Sequence, residues 1–362
     1  MMDHPELHVA LAADQLYFPG LLVTAASVAF CCDVRTQLTL HILDGGISEA
    51  SWSRLEAVVR RLHPRANVVR LPVRDSGIRD IRDNGNKSPM AYARLLLPRL
   101  LKVERVIYVD SDCLALRDLG ELMSWDLGGC PCGAVQDPIN PCLGDDYPWP
   151  RPPGFDPALP YFNSGLLVID LARWRQEAIT ERTLELLTRQ GDRCRYWDQT
   201  ALNFILPQHW QPLPGAWNYP SNKFNCQRAG DAAVIHYLCN EKPWFGDPGG
   251  HAHVLWRQFA TELAGVDRSE WPWSILRDRF RLRVQDSAAG LIGTLFRAKT
   301  LVRSRGQGVP PDPSDQWAIR YWTDRHAARH NRREDRTRLH RYLADRRESW
   351  RATVAARSGK MI

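Results

Sequence analysis

The chain has 362 residues and a mass of 41.4 kDa, with 44% apolar and 25% charged residues. That composition excludes a collagen-like, low-complexity or wholly disordered protein, and the length gives room for a large buried core. The net charge of +7 is unevenly spread. Residues 276–362 hold 21 Lys/Arg against 9 Asp/Glu, a net of +12, which leaves 27 against 32, a net of −5, in 1–275. An acidic body carries a basic tail. The nine cysteines are odd in number and contain no C-x-x-C pair, which argues against a disulfide framework or a zinc ribbon and for a reduced compartment. The start Met1-Met2-Asp3-His4-Pro5 has neither the basic nor the apolar part of a secretory signal. The apolar run Leu16 to Phe30 is too short to cross a bilayer and carries Pro19-Gly20.

The first half alternates short β-branched runs with helical patterns, which predicts a mostly parallel α/β sheet. Leu7 to Ala12 reads as a buried strand, followed by a helix over Leu21 to Phe30. Leu38 to Leu43 is a second strand, stopped by Asp44-Gly45-Gly46. Ser48-x-x-Ser51 opens a helix through Arg61, with Ala50, Leu55, Val58 and Val59 as its apolar stripe. Val68 to Leu71 is a third strand, Met90 to Leu97 a helix ended by Pro98, and Arg105 to Val109 a fourth strand running into Asp110. Cys130 to Pro160 is rich in Pro and Gly and reads as a long functional loop. A strand over Gly165 to Ile169, one helix through Trp174 and Leu187, a helix over Tyr196 to Leu206 and a strand over Ala232 to Ile235 ending at His236 complete the ordered pattern. Beyond Trp271 come Arg-rich segments broken at Gly306 to Pro313, and no internal repeat is present.

Asp110-Ser111-Asp112 follows an apolar strand directly. Two carboxylates one residue apart at a strand end can face the same way and chelate a hard divalent cation, although a solvated acidic turn reads the same. His236 ends another predicted strand and offers a third ligand, and Lys242-Pro243-Trp244 lies six residues on. Two oxygens and one imidazole suit Mn²⁺ better than Mg²⁺.

Six short motifs occur in a fixed order: Ala12-Ala13-Asp14-x-x-Tyr17, Ala91-Tyr92-Ala93-Arg94-Leu95, Tyr108-Val109-Asp110-Ser111-Asp112, Tyr161-Phe162-Asn163-Ser164-Gly165, Trp197-Asp198-Gln199 and His236-x5-Lys242-Pro243-Trp244. From about Leu7 to about Leu263 the set resembles the retaining glycosyltransferases of family 8, the glycogenin and bacterial lipooligosaccharide galactosyltransferase group. The resemblance implies a GT-A nucleotide-sugar-binding fold, a UDP-sugar donor, Mn²⁺, and transfer of galactose or glucose with retention. By motif position Asp110, Asp112 and His236 would hold the metal and Lys242 the diphosphate. Ala12, Asp14, Tyr17, Asp110 and Ser111 would line the nucleotide, and Arg94, Asn163, Asp198 and Gln199 the donor sugar, with Gln199 and Asp198 next to the reacting carbon. An amide is a poor nucleophile, so Gln199 favours front-face departure over a covalent glycosyl-enzyme. Two positions depart from the family pattern: Cys239 replaces a glycine three residues after the histidine, and Leu16 replaces a polar residue in the uridine turn.

The expected acceptor is a glycan or glycolipid, lipopolysaccharide or another surface polysaccharide, met by the variable loops Asp137 to Pro160 and Pro212 to Gln227. One rival is a catalytically inactive sugar-nucleotide-binding protein acting as an interaction module, against which the complete motif set speaks. Another is a nucleotidyltransferase, which would carry a Gly-rich basic phosphate loop where this chain has Ala12-Ala13-Asp14. A transferase domain over 1–265 and a basic helical, Arg/Trp-rich extension over 266–362 are expected. Leu291, Ile292, Leu295 and Phe296 fall on one helical face, and with Trp271, Trp273, Trp317 and Trp322 they suggest attachment to an anionic inner leaflet. Solvated helices are the plainer reading, and no nucleic-acid partner is expected because no reading module is present. The expected location is cytoplasmic, peripheral on the inner face of the membrane.

Overall fold

A computed structural model describes residues 6–73, 78, 81, 88–150, 153–221, 232–238, 242–245 and 251–266. Cys239 and the basic extension beyond Val266 lie outside this set, so the boundary expected at 265/266 falls at its very edge.

The chain opens with β1 (Glu6–Ala13), α1 (Phe18–Cys31), β2 (Gln37–Asp44), α2 (Glu49–Leu62) and β3 (Asn67–Pro72). β1 pairs parallel with β2, and β2 with β3. Both faces of this sheet are covered: Val9 and Leu11 point into one apolar cluster, Ala10 and Ala12 into another. Double burial explains why these strands read as continuous apolar runs rather than alternating ones. α1 begins at Phe18, earlier than expected, because Pro19 sits in the first turn, where a missing N–H costs nothing. α2 begins as expected: the Ser48 side chain accepts the N–H of Ser51 and caps it.

The expected helix at Met90–Leu97 is a 3₁₀ segment, Pro89–Leu96, that runs into a short α3 (Leu97–Leu100). Pro98 does not end it; it lies in the first turn of α3. Next come β4 (Arg105–Val109), β5 (Cys113–Ala115) and β6 (Cys132–Gln136). β6 lies within the stretch read as loop, together with a 3₁₀ turn over Leu143–Asp146. β7 (Phe162–Asp170) follows, then α4 (Leu171–Gln176) and α5 (Ile179–Gln190). The single helix expected here is split at Ala178, whose φ is +49°. α6 (Asp198–Ile205) starts two residues later than expected because Trp197 has φ +52°. β8 (Gln211–Pro212), β9 (Tyr219–Pro220), β10 (Val234–His236) and α7 (His251–Glu262) complete the described chain.

Seven strands form the central sheet in the order β3-β2-β1-β4-β7-β6-β8. It is mostly parallel, with β7 antiparallel to both β4 and β6. β5, β10 and β9 make a separate small sheet. Strand order reverses between β1 and β4, and in open α/β sheets a crevice forms at the carboxyl ends of the strands there. Among the described residues no helix is long and apolar enough to cross a membrane.

Candidate active site

The chain leaves β4 into Asp110, whose N–H donates to the Gly165 carbonyl of β7 (2.8 Å). The Ser111 hydroxyl donates to the Ala12 carbonyl at the end of β1 (2.7 Å), and the Tyr237 N–H donates to the Asp112 carbonyl (2.9 Å). These contacts draw Asp110, Ser111 and Asp112 together at the carboxyl ends of β1 and β4. Cys113 and His236 are directly opposed in the antiparallel β5–β10 pair, so their side chains share a face.

Asp112 Oδ1 lies 3.2 Å from His236 Nε2, and Asp110 Oδ2 lies 3.9 Å from the same nitrogen. Asp112 Oδ2 pairs with the Lys242 ammonium, which also donates to the Tyr237 carbonyl (2.7 Å). Asp112, His236 and Lys242 are all buried, while Asp110 is partly exposed. Burial alone would raise the pKa of Asp112; Lys242 and His236 overcome it and hold the carboxyl well below the ordinary range. Asp112 Oδ1 has no aligned hydrogen-bond donor among the described residues, so this buried carboxylate oxygen is short of one positive partner. Cys113 Sγ, Asp112 and His236 offer ligand atoms within 4.8 Å of one another. The two carboxylates, the imidazole and the orphaned oxygen fit a divalent cation.

Arg94 is buried rather than exposed on a helix surface. Its guanidinium donates to Asp110 Oδ1 (2.8 Å) and to the Ser164 carbonyl, lies 3.1 Å from Asp198 Oδ2, and stacks 4.4 Å from the centre of the Tyr108 ring. Burial disfavours its charge, but Asp110 and Asp198 keep it firmly protonated. Tyr108 OH also donates to Asp110 Oδ1 (2.9 Å). Arg94 therefore ties the acidic pair to the first turn of α6. There burial lifts Asp198 to about 6, with Arg94 pulling the other way. Gln199 Oε1 accepts the Ser164 N–H (3.0 Å), and its Nε2 donates to Asp137 Oδ2 (3.1 Å). Asn163 Nδ2 donates to the same carboxylate oxygen (2.9 Å).

On the other flank Asp14 Oδ1 accepts the Tyr17 N–H (3.1 Å), and Oδ2 accepts the Ser88 hydroxyl (2.7 Å). Tyr17 packs edge-on against Trp244 and Phe245, with ring centres 5.6 and 6.1 Å away. Trp244 also presses on Gly20: a Cβ there would sit 2.4 Å from the Ser111 carbonyl oxygen and 2.5 Å from the Trp244 ring. Only glycine lets α1, Ser111 and Trp244 meet so closely. Leu16 is exposed in the turn above them.

The residues named from the sequence therefore gather in one cluster: Asp110, Asp112, His236 and Lys242 in its middle, Ala12, Asp14 and Tyr17 on one side, Arg94, Asn163, Asp198 and Gln199 on the other. Ser111 differs in that its hydroxyl is spent on the Ala12 carbonyl. Sequence reasoning missed Asn218 and Cys113, and gave no part in the donor site to Asp137, named only as the start of an acceptor loop, or to Gly165, quoted only within a motif. Asp137 stood at the edge of a long loop and Asn218 between short elements, with no spacing to mark either.

A sequence model described as "Glycosyl transferase family 8" matches residues 8–247. The chain belongs to glycosyltransferase family 8. General stress protein A of Bacillus subtilis is 26% identical over 257 residues, covering 66% of this chain and 87% of that protein. Glycosyltransferase GlyF of Streptococcus pneumoniae is 26% identical over 249 residues, covering 65% of this chain but only 56% of GlyF. Among solved structures, galactosyltransferase LgtC in complex with donor and acceptor sugar analogs is 27% identical, with a TM-score of 0.61 over 73% of this chain and 98% of that one. An active-site mutant of LgtC matches equally, at 26% identity and TM-score 0.62. The fold is accordingly the GT-A fold. For this family 8 member, an acidic, imidazole-bearing cluster beside a lysine suits a cation and a diphosphate. The buried amides and carboxylates next to it suit sugar hydroxyls.

Proposed function

We propose that the chain is a retaining glycosyltransferase that moves galactose or glucose from a UDP-sugar to a glycan or glycolipid acceptor, lipopolysaccharide or another surface polysaccharide, with Mn²⁺. The observation that carries this reading is the orphaned Asp112 Oδ1 facing His236 Nε2 at 3.2 Å, with Asp110 and Lys242 alongside. Asp110, Asp112 and His236 are the proposed metal ligands; the ion would act as Lewis acid toward the leaving diphosphate. Lys242 adds a fixed charge toward the same phosphates. Ala12, Asp14 and Tyr17 receive the uridine, and Asp110 and Ser111 border it through the backbone turn.

Asn163, Asp198 and Arg94 orient the donor sugar. Gln199 Oε1 gives one lone pair to Ser164 N–H and keeps the other for positive charge that develops at the anomeric carbon. Asp198 and Gln199 are successive residues on α6, turned about 100° from each other, so they do not face one carbon equally. Front-face departure, with the leaving phosphate oxygen taking the acceptor's proton, suits this arrangement better than a double displacement. The transferase domain is taken as 1–265. The basic 266–362 region is taken as a peripheral attachment to the inner face of the cell membrane, with the protein otherwise cytoplasmic.

Incubation with a panel of UDP-sugars tests the reading. One UDP-hexose should be hydrolysed slowly without acceptor, the activity should vanish with EDTA and return best with Mn²⁺, and transfer should give the α product. No turnover of any UDP-sugar with Mn²⁺ present would end the proposal; a β product would end its retaining part.

A further inference from the structure

We infer that Asn218 is a positioning residue: it fixes the tautomer of His236, through a hydrogen-bond chain whose direction is set by one backbone N–H. The inference rests on the metal reading above for its purpose, but not for its geometry.

A backbone N–H can only donate. The Gly165 N–H donates to Asn163 Oδ1 (2.9 Å), which identifies that atom as the amide oxygen. Asn163 Nδ2 then points at Asp137 Oδ2 (2.9 Å), while Asp137 Oδ1 accepts the N–H groups of Ile139 (2.8 Å) and Asn140 (2.7 Å). The Asn218 atom 2.8 Å from Asn163 Oδ1 has to be its NH₂. That turns Asn218 Oδ1 toward His236 Nδ1, also at 2.8 Å. An amide oxygen cannot donate, so the proton of this contact belongs to Nδ1. In the neutral ring, Nε2 therefore presents its lone pair, and it does so 3.2 Å from the orphaned Asp112 Oδ1.

The opposite tautomer would satisfy Asp112 with an Nε2–H donor, and it would be the better choice if the pair stood alone. It would leave the Nδ1 lone pair against the Asn218 oxygen. Flipping Asn218 to relieve that would set its oxygen against Asn163 Oδ1, which Gly165 prevents from flipping in turn. Asp137, Asn163, Asn218 and His236 are all at most 6% exposed, so water does not take over any of these contacts. With the ring neutral, two lone pairs thus face each other in a buried site, and a cation between them, whether a metal ion or a second proton on the ring, makes the arrangement favourable. Partners that orient a ligating histidine in this way typically contribute 10–100-fold in metal affinity.

The test is a long-range ¹H–¹⁵N correlation spectrum of the metal-free full chain, labelled at histidine, at a pH where the imidazole is neutral. His236 is assigned by the signal lost in His236→Gln. The expected result is a protonated Nδ1 and an unprotonated Nε2. In Asn218→Leu the proton should move to Nε2, and Mn²⁺ affinity, read by the paramagnetic resonance of free Mn²⁺, should fall by roughly 10–100-fold. Asn218→Asp keeps an acceptor opposite Nδ1 and, with its second oxygen protonated toward Asn163 Oδ1, should keep the wild-type tautomer. A protonated Nε2 in the unmutated protein overturns the inference. So does an Asn218→Leu variant that folds and retains the wild-type tautomer, which would leave Asn218 a purely structural part. If that variant does not fold, the wild-type and Asn218→Asp spectra decide. An Nδ1–H tautomer in a protein that binds no Mn²⁺ would sink the metal reading and leave this inference standing.

Discussion

Gly165 shows how little room the site has at the scale of a single residue. A Cβ at this position would lie 2.2 Å from His236 Cε1, 2.6 Å from His236 Nδ1 and 3.0 Å from Asn163 Oδ1. His236 has no slack to give, because Asn218 holds one side of its ring and Asp112 faces the other. Gly165→Ala should therefore displace the imidazole, at a cost of about 1–3 kcal/mol for overpacking a buried site. The expected outcome is a chain that still folds, with a lower urea midpoint, Mn²⁺ affinity reduced at least tenfold and donor hydrolysis largely gone. Wild-type metal affinity in this variant would show that His236 is not held against β7 as described. The sequence marked His236 by its place at a strand end and Asp110 and Asp112 by their spacing. It could not mark Gly165, Asn163 and Asn218 as one unit, because Asn163 and Asn218 are 55 residues apart and only the fold brings them to 2.8 Å.

Among elements, legibility followed chemistry that leaves a local trace. β1, β2 and β4 were readable because double burial writes an uninterrupted apolar run. β6 was not: Cys132-Gly133-Ala134-Val135-Gln136 is made of small residues, and Gly133 is small because Leu127 and Leu213 crowd it at 2.9 and 3.2 Å. The split between α4 and α5 turned on a left-handed Ala178, which no residue type announces. The pairing of β1 with β2 also creates something the separate strands do not show. His8 Nδ1 and His41 Nε2 meet at 3.2 Å across the ladder, and burial first, then the neighbouring His8, lower His41 from 6.5 to about 4. Between those values the unfolded chain takes up a proton that the folded one refuses, so stability is complete above about pH 6.5 and is lost as the pH falls toward 4. The loss should be on the order of 2 kcal/mol. Urea midpoints at pH 7 and pH 5, compared for wild type and His41→Gln, measure it. The variant should lose much less stability over that interval, and an equal loss in both would clear His41 of any part in it.

At the scale of the whole molecule, the charge map separates catalysis from location. The family core is acidic, with a net of −5 over 1–275, and every residue assigned to donor and metal lies within it, from Ala12 in β1 to Lys242 beyond β10. The basic region, +12 over 276–362, matches nothing in the family model, which stops at residue 247. An acidic core is repelled by an anionic bilayer, so any attraction has to come through the basic region. Each Lys or Arg near such a surface contributes about 1 kcal/mol at low salt. That attraction decays over a Debye length of about 8 Å at physiological ionic strength. The full chain should therefore sediment with vesicles containing phosphatidylglycerol, release at about 1 M salt, where the Debye length falls to about 3 Å, and ignore neutral phosphatidylcholine vesicles. A chain ending before Leu276 should stay in solution with either vesicle and hydrolyse donor at the full-length rate. Equal sedimentation with neutral and anionic vesicles would discard the electrostatic attachment. Loss of donor hydrolysis on truncation would instead place part of the catalytic unit in the basic region.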